Sequence, residues 1–281
     1  MTSSRSSHRL SFVVLCFVPF LTFVVVAAHA LRIPGVHQAV GVAYFAVIAV
    51  AAWELGARAV RTDAPASRLV ALAGALLISP FALVSLLWIG LGGPWQATVP
   101  ENQMRYLVLM VMGAAIVTGF VVLREALREA GERFYSTLGF TPILLSGPIY
   151  LIWNAFAWGV YFGKEHTGQV PQAILSLDPT LDVILDLGVL LTYLATAAFA
   201  VSLGKVGWLG RGAARAYLGV CLVAIVFLMI RGLAYPDPRA LSTPWYTNPG
   251  FIVGIPAVPY IMPFLLGVVL LRRAGEQQDQ D

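Results

Sequence analysis

The chain reads as an all-α integral membrane protein: a multi-span transmembrane helical bundle with eight spans and both termini cytoplasmic. Three observations predict this. Of 281 residues, 59% are hydrophobic and only 11% charged, whereas a soluble domain carries about 25% charge. Mean hydropathy is +0.81. Eight apolar stretches are long enough, or nearly so, to cross a bilayer core about 30 Å thick, which takes roughly 20 helical residues. Finally, the 18 Lys and Arg residues alternate in number from one gap between stretches to the next.

The stretches are 10–28, 38–57, 69–92, 106–123, 138–163, 181–203, 216–235 and 250–271. The first follows a basic start and ends in Ala28-His29-Ala30, which resembles a signal-peptide cleavage site. Its 19 uncharged residues exceed the usual apolar region of about 7–15, so it is read as a span; cleavage would leave seven spans and an external N-terminus. The second carries Glu54 near its inner end, with Arg58 at the favourable i+4 spacing. The fourth continues into residues 124–133, whose Glu125/Arg128 and Glu129/Arg133 spacings predict a helical extension into water. The fifth holds Asn154 between Trp153 and Trp158. The seventh ends at Arg231 and Tyr235. The eighth contains Pro256, Pro259 and Pro263. Each proline removes an amide donor and crowds the carbonyl four residues earlier, so this span cannot be one straight helix.

Orientation follows from the cations, because cytoplasmic loops are enriched in Lys and Arg. Thirteen lie on one side: Arg5, Arg9, Arg58, Arg61, Arg68, Arg124, Arg128, Arg133, Lys205, Arg211, Arg215, Arg272 and Arg273. Five lie on the other: Arg32, Arg105, Lys164, Arg231 and Arg239. The first side, with both termini, is therefore cytoplasmic. Short loops leave no room for a separate soluble domain, so residues 1–281 are read as a single integral-membrane domain. Pro94-Trp95 before the fourth span and Pro244-Trp245 before the eighth form a faint echo, as two four-helix halves of like orientation would produce.

Three acids, Asp178, Asp182 and Asp186, follow one helix face at four-residue spacing. Asp178-Pro179 reads as an N-cap with proline in the first turn, and Asp182 suits the positive end of the helix dipole. Asp186 lies about 12 Å into the helix, where a carboxylate needs a partner, water or a proton. The topology offers Arg231 on the next span, with Arg105 as a competitor. Asp186, Arg231, Asn154, Asp182 and Arg105 are accordingly the candidate residues for binding a substrate or ion.

His29, His37 and His166, with Glu101 and Glu165, map to the external side but show no metal-ligand spacing. Cys16 and Cys221 have no CxxC or Cys/His context. No metal or cofactor is therefore expected. A nucleotide loop and a Ser-His-Asp signature are absent, and Lys164 and Lys205 sit too near span ends for retinal attachment. The net charge of +4 is accounted for by topology and does not imply nucleic acid. The expected surroundings are the lipid bilayer of a bacterial inner membrane. Three function classes remain: a binding or transport protein for a small solute or proton; an embedded enzyme acting on a lipid or isoprenoid; and a structural or assembly subunit. The first predicts water access to the charged residues, the second a substrate-sized apolar cavity, the third loss of protein level when Asp186 is replaced. Oligomeric state is not legible.

Overall fold

The computed structural model describes residues 2–28, 33, 35–170, 172, 176–234, 249–255 and 257–278. His29, Arg32, Tyr235, Arg239, Pro244, Trp245 and Pro256 lie outside the described residues, as do the side chains of Arg5, Glu165, His166 and Asp178. Among the described residues there is no strand. The helices are α1 (Thr2–Ala28), α2 (Val36–Leu55), α3 (Pro65–Leu91), α4 (Val99–Glu129), α5 (Phe134–Thr167), α6 (Asp178–Lys205), α7 (Arg211–Ala234), α8 (Pro249–Gly254) and α9 (Ile261–Gln278). Short 3₁₀ turns occupy Ala57–Arg61 and Val258–Tyr260. Eight of the segments are long and apolar enough to cross a membrane.

The eighth apolar stretch differs from its expected single span over 250–271. It is broken into α8, the Val258–Tyr260 turn and α9, and the spanning portion shifts to Val258–Gln278. The prolines are the cause. Pro256 and Pro259 cannot donate to the carbonyls of Ile252 and Ile255, which instead accept from Ile255 N (3.2 Å) and Val258 N (2.8 Å) in tighter turns.

Backbone proximity divides the chain into two compact units, residues Met1–Ala126 with Pro263–Asp281, and Leu127–Met262. In the first, the helices approach through small residues, as membrane helices commonly do. A Cβ on Gly41 would stand 3.1 Å from Gly90 N, and one on Gly74 would stand 3.0 Å from the Gly267 carbonyl. The α3–α9 contact continues in the rings of Phe81 and Phe264, 5.2 Å apart. α1 packs through Leu15 and Val18 and joins α2 and α3 by hydroxyls: Thr22 Oγ1 lies 2.9 Å from Tyr44 Oη and 3.1 Å from Ser85 Oγ. At the start of α4, Thr98 and Glu101 form a reciprocal capping box, with Thr98 N donating to Glu101 Oε2 at 2.8 Å.

In the second unit α6 is the central element, packed on α5 and α7. Gly139 meets the Phe199 ring and Gly188 meets Ile149. Deep between α5 and α6, Tyr150 Oη and Thr192 Oγ1 are 2.9 Å apart, and Thr192 donates to the Gly188 carbonyl. Outward faces remain apolar in both units: Val47 and Val50 of α2, and Val223, Val226 and Ile230 of α7, are exposed. Apolar surface that wide suits hydrocarbon rather than water.

Three local expectations change. α2 ends at Leu55, and Gly56 (φ +152°) turns the chain into the 3₁₀ segment. Arg58 is thus not one helical turn above Glu54, and it lies 3.4 Å from His8 Nε2 instead. α6 begins at Asp178, so that residue opens the helix rather than standing before it. The extension of α4 stops at Glu129, which separates Glu129 from Arg133.

Glu132, expected in water, is buried. Its carboxylate accepts from Tyr135 N (2.8 Å), Ser136 N (3.1 Å) and the Ser202 hydroxyl, tying the start of α5 to the end of α6. Burial pushes this carboxyl up, but the hydrogen bonds from Ser202, Tyr135 and Ser136 outweigh it, leaving it below its ordinary 4.5. A depressed folded value stabilises the protein above the unfolded value, and that contribution disappears as pH falls through the folded one. Glu132→Gln should therefore lose about 1–2 kcal/mol at neutral pH. The gap to wild type should close as pH falls through the folded value, as read by thermal unfolding in detergent. A gap that persists unchanged in acid would contradict the assignment.

Candidate functional site

Asp186 lies two turns into α6 and Arg231 lies near the end of α7. The two helices are antiparallel neighbours joined by a short turn, which brings both residues to the same end of the hairpin. Arg231 Nη1 donates to Asp186 Oδ1 at 2.8 Å. The side chains are 14% and 15% exposed respectively, so the pair is mostly desolvated but not sealed. The bond is to one oxygen; Asp186 Oδ2 makes no hydrogen bond among the described residues.

The broken segment closes over this pair. A Cβ on Gly254, the last residue of α8, would stand 2.6 Å from Arg231 Nη1 and 3.1 Å from Asp186 Oδ1. The next backbone group is also held from α6, by Tyr193 Oη donating to the Val253 carbonyl at 3.2 Å. Asp186 and Tyr193 are seven residues apart and share a helix face, so one face of α6 carries both contacts to α8. Neither Tyr193 nor a contact role for Gly254 was drawn from the sequence. The seven-residue spacing was a usable signal for the tyrosine. Nothing local marked the glycine.

Asn154 is buried on α5, 2% exposed, with Nδ2 donating to the Tyr150 carbonyl at 2.7 Å. Its Oδ1 is fully buried and has no hydrogen-bond partner among the described residues. Exchanging the amide oxygen and nitrogen would set two acceptors against each other at Tyr150, so the free group is an acceptor. The register that places Tyr150 opposite Thr192 places Asn154 opposite Gly188, on the side of α6 turned away from Asp186. Asp182 stands one turn before Asp186 on α6, half-buried.

Arg105 has partners within its own unit. It belongs to the first unit, where it is buried, donates through Nη2 to the Gly92 carbonyl at 2.6 Å and lies 5.7 Å over the Trp88 ring. The described histidine side chains have other partners. His37 Nδ1 accepts from Ile33 N and His8 lies at Arg58. Among the described residues no group of three His, Cys, Asp or Glu side chains is placed to hold a metal ion.

Eight membrane-length apolar helices, apolar outward faces and an ion pair set within span-forming helices define a multi-pass helical membrane protein. No known protein family, curated protein or solved structure matches the chain.

Proposed function

We propose that the protein binds or carries a small solute or proton through an outward-facing polar site centred on Asp186 and Arg231. The supporting observation is the end of α8 lying against that pair. Interrupted helices in membranes persist where they line water or are buried in protein, and ionisable groups at such depth commonly mark a pathway. A purely structural clasp needs the ion pair alone. Here the end of a broken helix and a glycine without a side chain meet the same two residues, and Tyr193 holds the adjoining Val253 carbonyl. In this reading the chain sits in a cell membrane with its ends cytoplasmic, and the site opens outward.

The test is water access, which requires no knowledge of the ligand. Asp186→Cys is made in a chain whose Cys16 and Cys221 are serine, and intact cells are treated with a membrane-impermeant thiol reagent. The nearby Arg231 guanidinium favours the reactive thiolate. Labelling from outside, at a rate within about tenfold of an Asp182→Cys control one turn nearer the helix end, is the expected result. A folded Asp186→Cys protein that stays unlabelled while the control reacts would leave only the clasp.

A further inference from the structure

Independently of the site in the second unit, we propose that the first unit binds an anionic phospholipid where the start of α1, the Ala57–Arg61 turn and the end of α9 meet. The contacts place these three segments together. Arg58 Nη2 lies 3.4 Å from His8 Nε2, and a Cβ on Gly275 would stand 3.4 Å from His8 Cε1. One turn further along α1, the Arg272 guanidinium lies 5.0 Å over the Phe12 ring. Two guanidinium groups, one from the turn and one from α9, thus rest on successive turns of α1. A third follows on the turn itself. Residues three apart in a 3₁₀ helix stand on one side of it, so Arg61 follows Arg58, and its guanidinium lies 4.9 Å over the Trp53 ring.

This arrangement suits a phosphodiester. A ring beneath a guanidinium occupies its face and leaves its N–H edge for an acceptor, and that planar fork matches phosphate oxygens. Glu276 takes only Nε of Arg272, at 2.8 Å. It is also the only acid in the three segments, which carry Arg5, Arg9, Arg58, Arg61, Arg272 and Arg273. What lies beside the cations selects a lipid over a soluble anion. Trp53 ends an exposed apolar stripe that begins with Val47 and Val50 on α2, and Leu10, Val13 and Phe17 form another on α1. Acyl chains fit those stripes, while the phosphate meets the arginines at their end. Basic groups between membrane helices recognise anionic headgroups by this combination.

The test titrates the purified full-length protein, in neutral detergent, with phosphatidylglycerol and phosphatidylcholine of identical acyl chains, and counts bound lipid by native mass spectrometry. Phosphatidylglycerol should bind about tenfold or more tightly. Arg58→Gln/Arg61→Gln should abolish most of that preference. Arg211→Gln/Arg215→Gln, which removes the same charge from the second unit, should leave it intact. If the first double variant fails to fold, Arg61→Gln alone, at an exposed position, should still reduce the preference several-fold. Equal binding of the two lipids overturns the proposal, as would follow if the chain's own acidic end (Asp279 and Asp281) held these cations. Equal losses in the two double variants also overturn it, because net charge rather than this site would then be acting. Inorganic phosphate provides the last arm. Millimolar phosphate that displaces phosphatidylglycerol would make the ligand a soluble anion and discard the lipid.

Discussion

Arg231→Ala should destabilise the protein by about 3 kcal/mol or more, the magnitude expected when one partner of a desolvated ion pair is removed. The substitution leaves the Asp186 carboxylate mostly buried, with its only hydrogen-bond donor among the described residues gone. Losing both charges should do less harm. In Asp186→Asn/Arg231→Gln no bare charge remains, and neutral replacements of buried pairs are often tolerated. The expected order of stability is therefore wild type, then the double variant, then Arg231→Ala, as measured by denaturation in detergent. Asp186→Arg with Arg231→Asp should recover part of the loss, since the bond needs only opposite charges at these two positions. If the double variant instead showed the sum of the two single losses, the residues would be acting independently, and the site would lose its centre. This experiment weighs the contact itself. Whether water reaches it is decided by thiol labelling.

Spans were legible because hydropathy needs no knowledge of partners. A stretch such as 69–92 is apolar on every face, and α3 follows it closely over Pro65–Leu91. The same property hid the break in the eighth segment: residues 250–257 are as apolar as a helix interior, so composition could not show where backbone hydrogen bonding fails. The prolines announced a kink but not its extent. Asp186 and Arg231 were legible because topology put both at one end of adjacent helices and an isolated carboxylate there is too costly to stand alone. Arg105 met the same topological criterion, yet a backbone carbonyl thirteen residues earlier holds it. Glu132 was hidden for a different reason. Two of its partners are backbone amides and the third is Ser202, and none of these leaves a charge pattern in the sequence. Glu54 and Arg58 show the limit of spacing rules, which hold only if the helix continues, and Gly56 ends it.

Gly56→Val should be among the most damaging single substitutions in the first unit, with an expected loss above about 4 kcal/mol. Two constraints act at this glycine together. Its φ of +152° belongs to a region that side-chain-bearing residues rarely adopt. A Cβ there would also overlap the Leu271 carbonyl of α9 and stand 2.8 Å from Gly275 N. Both obstacles are backbone, so no rotamer change relieves them. The contact is reciprocal, since a Cβ on Gly275 would in turn meet the Leu55 carbonyl, and Gly275→Val should also be severe. Gly35 supplies the control. Its φ is +82°, but a Cβ would find nothing within 4 Å, so Gly35→Ala isolates the backbone term at about 1–2 kcal/mol. The yield of monodisperse protein and the unfolding midpoint should separate Gly56→Val clearly from Gly35→Ala. Similar losses in the two would mean that conformational strain alone explains Gly56, and that the close approach of α2 and α9 contributes little to holding the unit together.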